Sequence, residues 1–289
     1  MNRLRAVEPV FGDFTRKKNY HTDAAQKEDI MKKTIAILLT LTMVLGMALT
    51  GCAGKDKEMT YAVEAGSAGE AAAKENEFAM NSVASQADAL MEVASGTSDA
   101  AIIDLLMAGA MIGEGTSYPN LKYTDKLTTE EYGVGCRKGS DLASYINVVF
   151  AEEYASGNMK EIATIYGVQE SLVDQPATEF AAAEDSDVAY IQDKGTLIVG
   201  ITDFAPMDYK DENGEWIGFD ADMARIVAEK LGVEIKFVEI DWDSKIMELD
   251  SKNIDVVWNG MTLTDEVKAA MECSNAYCNN AQVVVVPAK

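Results

Sequence analysis

From residue 59 onward, short apolar runs alternate with segments of helical periodicity, and this alternation restricts the fold more than any other feature. The clearest helix runs from Phe219 to Leu231, and Gly232 follows it as a stop signal. Residues 142–166 predict two helices broken near Ser156-Gly157. Seven runs are typical of strands: Tyr61–Val63, Ala100–Ile103, Tyr132–Cys136, Leu197–Thr202, Ile235–Ile240, Ile254–Trp258 and Val283–Val286. Strands that alternate with helices predict an α/β architecture.

The composition changes at residues 174–187, where "DQPATEFAAAEDSD" is polar and rich in alanine. We interpret this stretch as a linker. No internal repeat is found. The length suits one large domain or two small ones.

Charge and histidine content exclude several classes of function. The net charge of −23 argues against nucleic-acid binding, because a phosphate backbone would be repelled. A solvated acidic surface accounts for most of this charge. The chain has one histidine, His21, in a polar N-terminal stretch. Histidine-based catalysis and histidine-ligated metal sites are therefore excluded from the rest of the chain, whereas carboxylate chemistry stays open.

Residues 31–51 have the pattern of an export signal, with two lysines followed by about 16 apolar residues, which is short for a spanning helix. The sequence "LTGC" that ends at Cys52 resembles the lipobox of bacterial lipoproteins. The resemblance implies cleavage before Cys52, lipidation of that cysteine and anchoring to the outer face of the membrane. An uncleaved anchor helix is the alternative. Residues 52–58 would then form a tether.

The preceding residues 1–30 do not fit an export signal, which begins at the N-terminus. Lys27, Glu28 and Asp29 can be encoded by a purine-rich ribosome-binding sequence just before Met31. We therefore expect translation to start at Met31 and residues 1–30 to be a non-native extension.

Three further cysteines, Cys136, Cys273 and Cys278, form neither a metal motif nor a disulfide framework. We expect buried thiols, and we expect no metal and no cofactor.

Residues 195–287 resemble the first lobe of the family 3 extracellular solute-binding proteins, the amino-acid receptors of ABC importers. The matching stretches are "LIVGITDFAPMDY", "GEWIGFDADMARIVAEKLG", "IDWDSKIMELDSKNIDVVWNGMTLTDE" and "SNAYCNNAQVVVVPAK". Residues 60–167 resemble the second lobe and the closing helices through "YAVEAGSAGEAAAKE", "ALMEVASGTSDAAIIDLLMA" and the segment that begins "EEYGVGCRKG". The resemblance implies a two-lobed, type II periplasmic-binding-protein-like α/β fold.

The order of the two parts differs from that of the family, in which lobe 1 comes first. We interpret the chain as circularly permuted, with residues 59–173 forming lobe 2 plus the closing helices of lobe 1, and residues 188–289 forming lobe 1. The linker 174–187 would join the former ends, at a surface where permutation is tolerated. The alternative is a spliced pair of gene fragments, each of which needs its missing partner from another copy.

The resemblance implies a ligand cleft between the lobes. From lobe 1, Phe204 would stack on the ligand, and the alternative is a core role. Trp242 would line the opposite wall. Asn259 and Gly260 would offer backbone groups, and Thr262 a hydroxyl. A helix start there, with Thr264 as its cap, favours an anion such as a carboxylate, and an ordinary capped helix is the alternative.

From lobe 2, the turn Gly66, Ser67 and Ala68 would approach the ligand closely. Glu64 lies where a carboxylate would favour a cationic or polar ligand group. Asp104, at the end of an apolar strand, would pair with an α-ammonium, and its alternative role is a helix N-cap.

One position departs from the family pattern. The family places an arginine soon after the "TLTDE" turn to hold the ligand's α-carboxylate, and Val267 stands there in this chain. Lys268 is rotated by about 100° on a helix and does not replace it. Either the ligand lacks an α-carboxylate, or helix N–H groups hold it more weakly, or the receptor has degenerated.

The sequence thus predicts a lipid-anchored, extracytoplasmic receptor that binds an amino acid or a similar small polar solute for an ABC transporter permease, and not an enzyme. One alternative is an enzyme on the same fold, similar to cyclohexadienyl dehydratase, for which Glu64 is the candidate carboxylate with a raised pKa. Another is a degenerate surface lipoprotein that binds nothing.

Overall fold

The computed structural model describes residues 58–289. The predicted start at Met31, the signal segment 31–51 and the lipidation site Cys52 lie outside the described residues. Within the described part, no helix is long and apolar enough to cross a membrane.

Five strands form a first sheet, in the order β2-β1-β3-β14-β4. Their bounds are β1 (Thr60–Glu64), β2 (Ala79–Val83), β3 (Ala100–Asp104), β4 (Leu121–Lys126) and β14 (Gln282–Pro287). β1 runs parallel to β2 and β3, whereas β14 is antiparallel to β3 and β4. Helices follow the parallel strands: α1 (Ala68–Glu75), α2 (Gln86–Ser95) and α3 (Leu105–Met111). β3 is buried along its whole length because it lies inside the sheet.

Five other strands form a second sheet, in the order β10-β7-β11-β6-β12. Their bounds are β6 (Gly135–Cys136), β7 (Thr196–Ile201), β10 (Glu234–Glu239), β11 (Val256–Val257) and β12 (Glu272–Cys273). β7 is parallel to β10 and β11, and β6 is antiparallel to β11 and β12. The helices α7 (Phe219–Leu231), α8 (Lys245–Asp250) and α9 (Asp265–Ala270) follow or connect these strands, and β8 (Tyr209–Lys210) forms a hairpin with β9 (Trp216–Ile217).

Each sheet therefore contains one strand from the other part of the chain. Two connections run side by side between the sheets, β5 (Glu130–Tyr132) and β13 (Cys278–Asn280), and they pair antiparallel. The first leads from β4 to β6, and the second from β12 to β14. This arrangement gives residues 58–289 two lobes joined by a pair of crossing strands. The first lobe is built on the first sheet and holds most of the strands of the predicted lobe 2, and the second lobe is built on the second sheet and holds most of those of the predicted lobe 1.

The predicted strand Tyr132–Cys136 is wrong as a single element. The chain changes partner between β5 and β6, and Gly133 makes this change possible. Its N–H donates to the Met261 carbonyl at 2.9 Å, and a Cβ there would lie 2.6 Å from Leu263. A side chain at this position would require the Leu263 side chain to move.

The helical predictions are confirmed where glycine marks an end. α4 (Leu142–Ser156) and α5 (Asn158–Ile165) are separated at Gly157, which has φ of 87°. α7 ends at Gly232, whose left-handed conformation with φ of 75° needs no side chain. α4 packs on the second lobe, because the Phe150 ring lies 5.6 Å from Trp258 and 5.6 Å from Tyr277.

The segment 174–187 has no regular structure until its last residue, where α6 (Asp187–Lys194) begins. It is held against its neighbours. The side-chain amide of Gln175 donates to the carbonyls of Val173 and Ala276, at 3.0 and 2.7 Å. The Ser186 hydroxyl and the Ala183 N–H donate to the Asp141 carboxylate, at 2.6 and 3.2 Å. The segment is thus an anchored connection across the surface.

Buried charges connect the two parts of the chain within the second lobe. Arg137, beside β6, contacts Asp187 at 2.9 Å and Asp255 at 3.4 Å. The Asp255 carboxylate also accepts hydrogen bonds from the Lys194 ammonium at 2.6 Å and from the Ile198 N–H at 2.8 Å. The Asp255 side chain is completely buried, so its charge depends on these partners.

Candidate functional site

A cavity of about 540 Å³ lies between the two lobes, a size typical of small-molecule sites. All nine residues predicted to contact a ligand line it: Gly66, Ser67, Ala68, Asp104, Phe204, Trp242, Asn259, Gly260 and Thr262. They come from both sheets and from both parts of the chain. The structure therefore brings the whole predicted set together, and their contacts show what each can do.

Asp104 ends β3 and is buried. It stands at the N-cap position of α3, but its side chain makes no capping hydrogen bond. Its carboxylate instead accepts a hydrogen bond from the Tyr132 hydroxyl at 2.6 Å and others from the amides of Gln86 and Asn280. Burial raises the pKa of Asp104, and these hydrogen bonds oppose the rise. Asp104 is thus a positioned acceptor, not a cap.

Glu64 ends β1 beside Asp104, and it is also buried. Its Oε1 atom has no hydrogen-bond partner among the described residues. Burial, joined by the negative charge of Asp104, raises the pKa of Glu64 to about 8, against the opposing effects of Gln86 and Lys245. The cavity therefore contains a carboxyl group with an unused acceptor atom.

The turn Gly66-Ser67-Ala68 begins α1 and reaches the opposite wall. Gly66 has φ of 70°, and a Cβ there would lie 2.6 Å from the Asp243 Cα. The Lys245 ammonium donates to the Gly66 carbonyl at 2.9 Å. Ser67 caps the helix by accepting the Glu70 N–H at 3.1 Å. Gly66 therefore lies close to the other lobe, and its approach to a ligand stays a prediction.

Two aromatic residues form the wall on the second lobe. Phe204 is buried, and its ring meets Tyr132 edge-on with centroids 6.4 Å apart. Phe204 belongs both to the core and to the cavity lining, and its stacking on a ligand stays a prediction. Trp242 has the Lys245 ammonium 4.8 Å from its ring centroid.

The expectation that Gly260 offers a free N–H to an anion is wrong. This N–H donates to Asp220 Oδ2 at 2.7 Å, and the same oxygen accepts the Tyr277 hydroxyl at 2.7 Å. The Asn259 side chain is likewise engaged, since it exchanges hydrogen bonds of 2.9 and 2.7 Å with Thr202. These groups hold the cavity wall in shape, and they do not face the cavity as free donors.

Thr264 caps α9, as predicted, by accepting the Val267 N–H at 3.1 Å. Val267 lines the cavity at the position where the resemblance implied an arginine. An apolar side chain therefore stands where a carboxylate would find its guanidinium.

Sequence reasoning missed several residues that position the site. Gln86, Tyr132 and Asn280 surround Asp104, and Lys245 bridges the two lobes. Asn280 lies two residues before Gln282, which pairs with Asp104 in the strand register. A correct prediction of that register would therefore have placed Asn280 near Asp104. Gln86 and Lys245 carry no comparable sequence signal.

Within residues 58–289, no group of histidine, cysteine, aspartate or glutamate side chains is arranged to hold a metal ion. The predicted buried thiols are confirmed for Cys136 and Cys278, and Cys273 is half-buried.

Residues 197–289 match the family described as bacterial extracellular solute-binding proteins, family 3. These residues belong to that family. The resemblance inferred for residues 195–287 is confirmed, and with it the α/β fold of the type II periplasmic binding proteins.

Individual relatives and solved structures resemble part of this chain. The L-cystine-binding protein TcyJ of Escherichia coli (strain K12) is 34% identical over 96 residues, which are 33% of this chain and 36% of that protein. The cyclohexadienyl dehydratase of Pseudomonas aeruginosa is 32% identical over 85 residues, 29% of this chain and 32% of that protein. The crystal structure of the arginine-bound domain 1 of TmArgBP is 34% identical, with 34% of this chain and 84% of that chain covered and a TM-score of 0.27. The chain spans about a third of the length of the curated relatives it matches.

Proposed function

We propose that this protein is a lipid-anchored, extracytoplasmic receptor that binds an amino acid or a similar small polar solute and delivers it to an ABC transporter permease. One observation carries the proposal. Nine residues selected for ligand contact, from distant parts of the sequence, line a single cavity between two lobes. The family match and the cystine-binding and arginine-binding relatives support the same function.

Binding would proceed by closure of the two lobes about the paired crossing strands β5 and β13. Phe204 and Trp242 would contact the apolar part of the solute, and Asp104 would accept hydrogen bonds from a positively charged group. Gly66, Ser67 and Ala68 would approach from the other lobe. Thr262 would contribute its hydroxyl.

We also propose that the chain is a circular permutant, with lobe 2 and the closing helices in residues 59–173, the connection in 174–187, and lobe 1 in 188–289. The position of β14 inside the first sheet and of β6 inside the second supports this order. A reordered gene that places residues 188–289 before 59–173 should give a protein with the same melting temperature and the same ligand response. A molar mass of two chains in solution would instead favour halves that pair between copies.

A thermal-shift screen of the full chain against the standard amino acids tests the receptor function. A ligand present at 100 times its Kd should stabilise the folded state by about 2.7 kcal/mol. No shift with any amino acid or amine at millimolar concentration would favour the degenerate, non-binding lipoprotein. The anchor is tested by Cys52→Ala, which should move the protein out of the membrane fraction.

A second candidate function is favoured by Glu64 together with the dehydratase relative. A cavity carboxyl with a pKa of about 8 is protonated at neutral pH and can act as a general acid. Incubation with prephenate and with arogenate, followed by detection of the dehydrated and decarboxylated product, decides this candidate. Glu64→Gln should abolish any such activity.

A further inference from the structure

We propose, on the basis of the receptor function above, that the cavity accepts a small organic cation that carries no carboxylate. The acceptor groups of the cavity have capacity left for a cation. Its two lysines are already engaged within the protein. Both halves of this contrast come from individual contacts.

The acceptor side is dominated by carboxylates. The ionisable residues that line the cavity are six acids and two lysines: Glu64, Glu70, Asp104, Asp243, Asp265, Glu266, Lys74 and Lys245. A surplus of acids alone would describe a solvated surface. Glu64 adds an independent observation, because its Oε1 atom is buried and has no partner among the described residues.

A buried acceptor without a partner costs free energy, and a donor on the ligand would remove that cost. A cationic donor gives the strongest hydrogen bond to a carboxylate. Asp104, the neighbour of Glu64 on the adjacent strand, is a second carboxyl group at the same end of the cavity, and a bound cation would favour the ionised form of both. This end therefore favours an ammonium or guanidinium group.

The lysines of the cavity are not free to hold a carboxylate. Lys74 pairs with Glu70 at 2.9 Å. Lys245 donates to the carbonyls of Gly66 and Trp242, at 2.9 and 3.1 Å, and so connects the two lobes. Among the residues described along this cavity, no other side chain carries a positive charge.

Three backbone N–H groups of the cavity wall are engaged as well. The Gly66 N–H donates to Glu70 at 3.1 Å, and the Gly260 N–H donates to Asp220 at 2.7 Å. The Val267 N–H donates to Thr264 at 3.1 Å. A carboxylate would also lie near several acids, so it would be repelled.

Isothermal titration of the full chain with matched probes tests the proposal. Arginine and agmatine differ by one carboxylate, and so do lysine and cadaverine. We expect each amine to bind at least about tenfold more tightly than its amino acid, the effect of about one charge-assisted hydrogen bond. Glu64→Gln should weaken agmatine binding by a similar factor. Glu229→Gln, an exposed change outside the cavity lining, should leave it unaltered.

Val267→Arg supplies the missing partner for a carboxylate. It should therefore reduce or reverse the preference for agmatine over arginine. If Glu64→Gln does not fold, the paired probes on the unmodified chain still decide the question.

Two outcomes separate the proposal from the receptor function. If an amino acid binds as tightly as its amine, or if some amino acid binds and neither amine does, the proposal is wrong and the receptor function stands. If no amine and no amino acid binds, the receptor function fails with it.

Discussion

The hydroxyl of Tyr132 donates a 2.6 Å hydrogen bond to the carboxylate of Asp104. Tyr132 ends one of the two crossing strands, and Asp104 ends the central strand of the first lobe. The connection between the lobes is thereby joined directly to an acidic group of the cavity.

Tyr132→Phe should lower the free energy of unfolding by about 1–3 kcal/mol, because the buried Asp104 carboxylate loses a donor while the ring contact with Phe204 is kept. Urea unfolding followed by circular dichroism measures this loss. Tyr123→Phe is the matched control, since Tyr123 is exposed on β4 of the first sheet. Equal midpoints for the two variants would show that the Tyr132 hydroxyl does not stabilise the site.

Gly66→Ala should weaken ligand binding because its Cβ would meet the Asp243 backbone at 2.6 Å and keep the lobes apart. Gly96→Ala is the control. Gly96 has a similar φ of 76°, but an added Cβ would meet nothing within 4 Å. Both variants should lose about 1 kcal/mol of stability from backbone strain. Only Gly66→Ala should raise the Kd for the solute, and equal Kd values would contradict the close approach of the lobes.

Arg137→Met should destabilise the protein by about 3–5 kcal/mol, because it removes one partner of the buried Asp255 charge. The loss should appear as a lower denaturation midpoint. The exposed pair Lys210 and Glu239, 3.1 Å apart, provides a control. Lys210→Met should cost no more than about 1 kcal/mol. A small effect at Arg137 would mean that Lys194 alone neutralises Asp255.

Glu64 should make stability fall as pH rises. Its pKa is about 8 in the folded protein and near 4.5 in the unfolded chain, so the folded state holds a proton that the unfolded chain has released. The associated stability is fully present below pH 4.5 and is lost as pH rises towards 8, by at most about 1.4 kcal/mol per pH unit. The charged groups that act on Glu64 are Asp104, Asp88 and Lys245, and Gln86 donates a hydrogen bond to it.

Urea unfolding at pH 5, 6, 7 and 8 should therefore show a steeper decline for the unmodified protein than for Glu64→Gln. Asp220 and Glu130, whose pKa values burial raises to about 7, contribute to the decline in both proteins. The difference between the two curves isolates Glu64. Parallel curves would show that Glu64 does not hold its proton in the folded state.

Helix ends could be predicted from the sequence where the type of a single residue sets them. The end of α7 at Gly232 and the break at Gly157 follow from glycine in a left-handed conformation. The residues of the cavity could also be predicted, because the resemblance to the family implies which strand ends and helix starts face the cleft. β2 was missed since its central residues are exposed at the edge of the sheet and show no apolar run.

Other features depend on contacts between distant residues. The Gly260 N–H donates a hydrogen bond to Asp220, which lies 40 residues away in the sequence. No local sequence pattern predicts that bond. The strand Tyr132–Cys136 divides because its two ends find partners in different sheets. Such outcomes are set by tertiary packing and not by periodicity.

The position of β14 has a consequence for how the protein is made. Gln282 bonds to Thr128, 154 residues earlier, and β14 fills the gap between β3 and β4. While the nascent chain leaves the ribosome, both of those strands keep an open edge until β14 has been synthesised. Open edges recruit wrong partners, and closure over so long a loop is slow. The chain should therefore depend on chaperones during synthesis more than a protein in which neighbouring strands of a sheet are also neighbours in the sequence does.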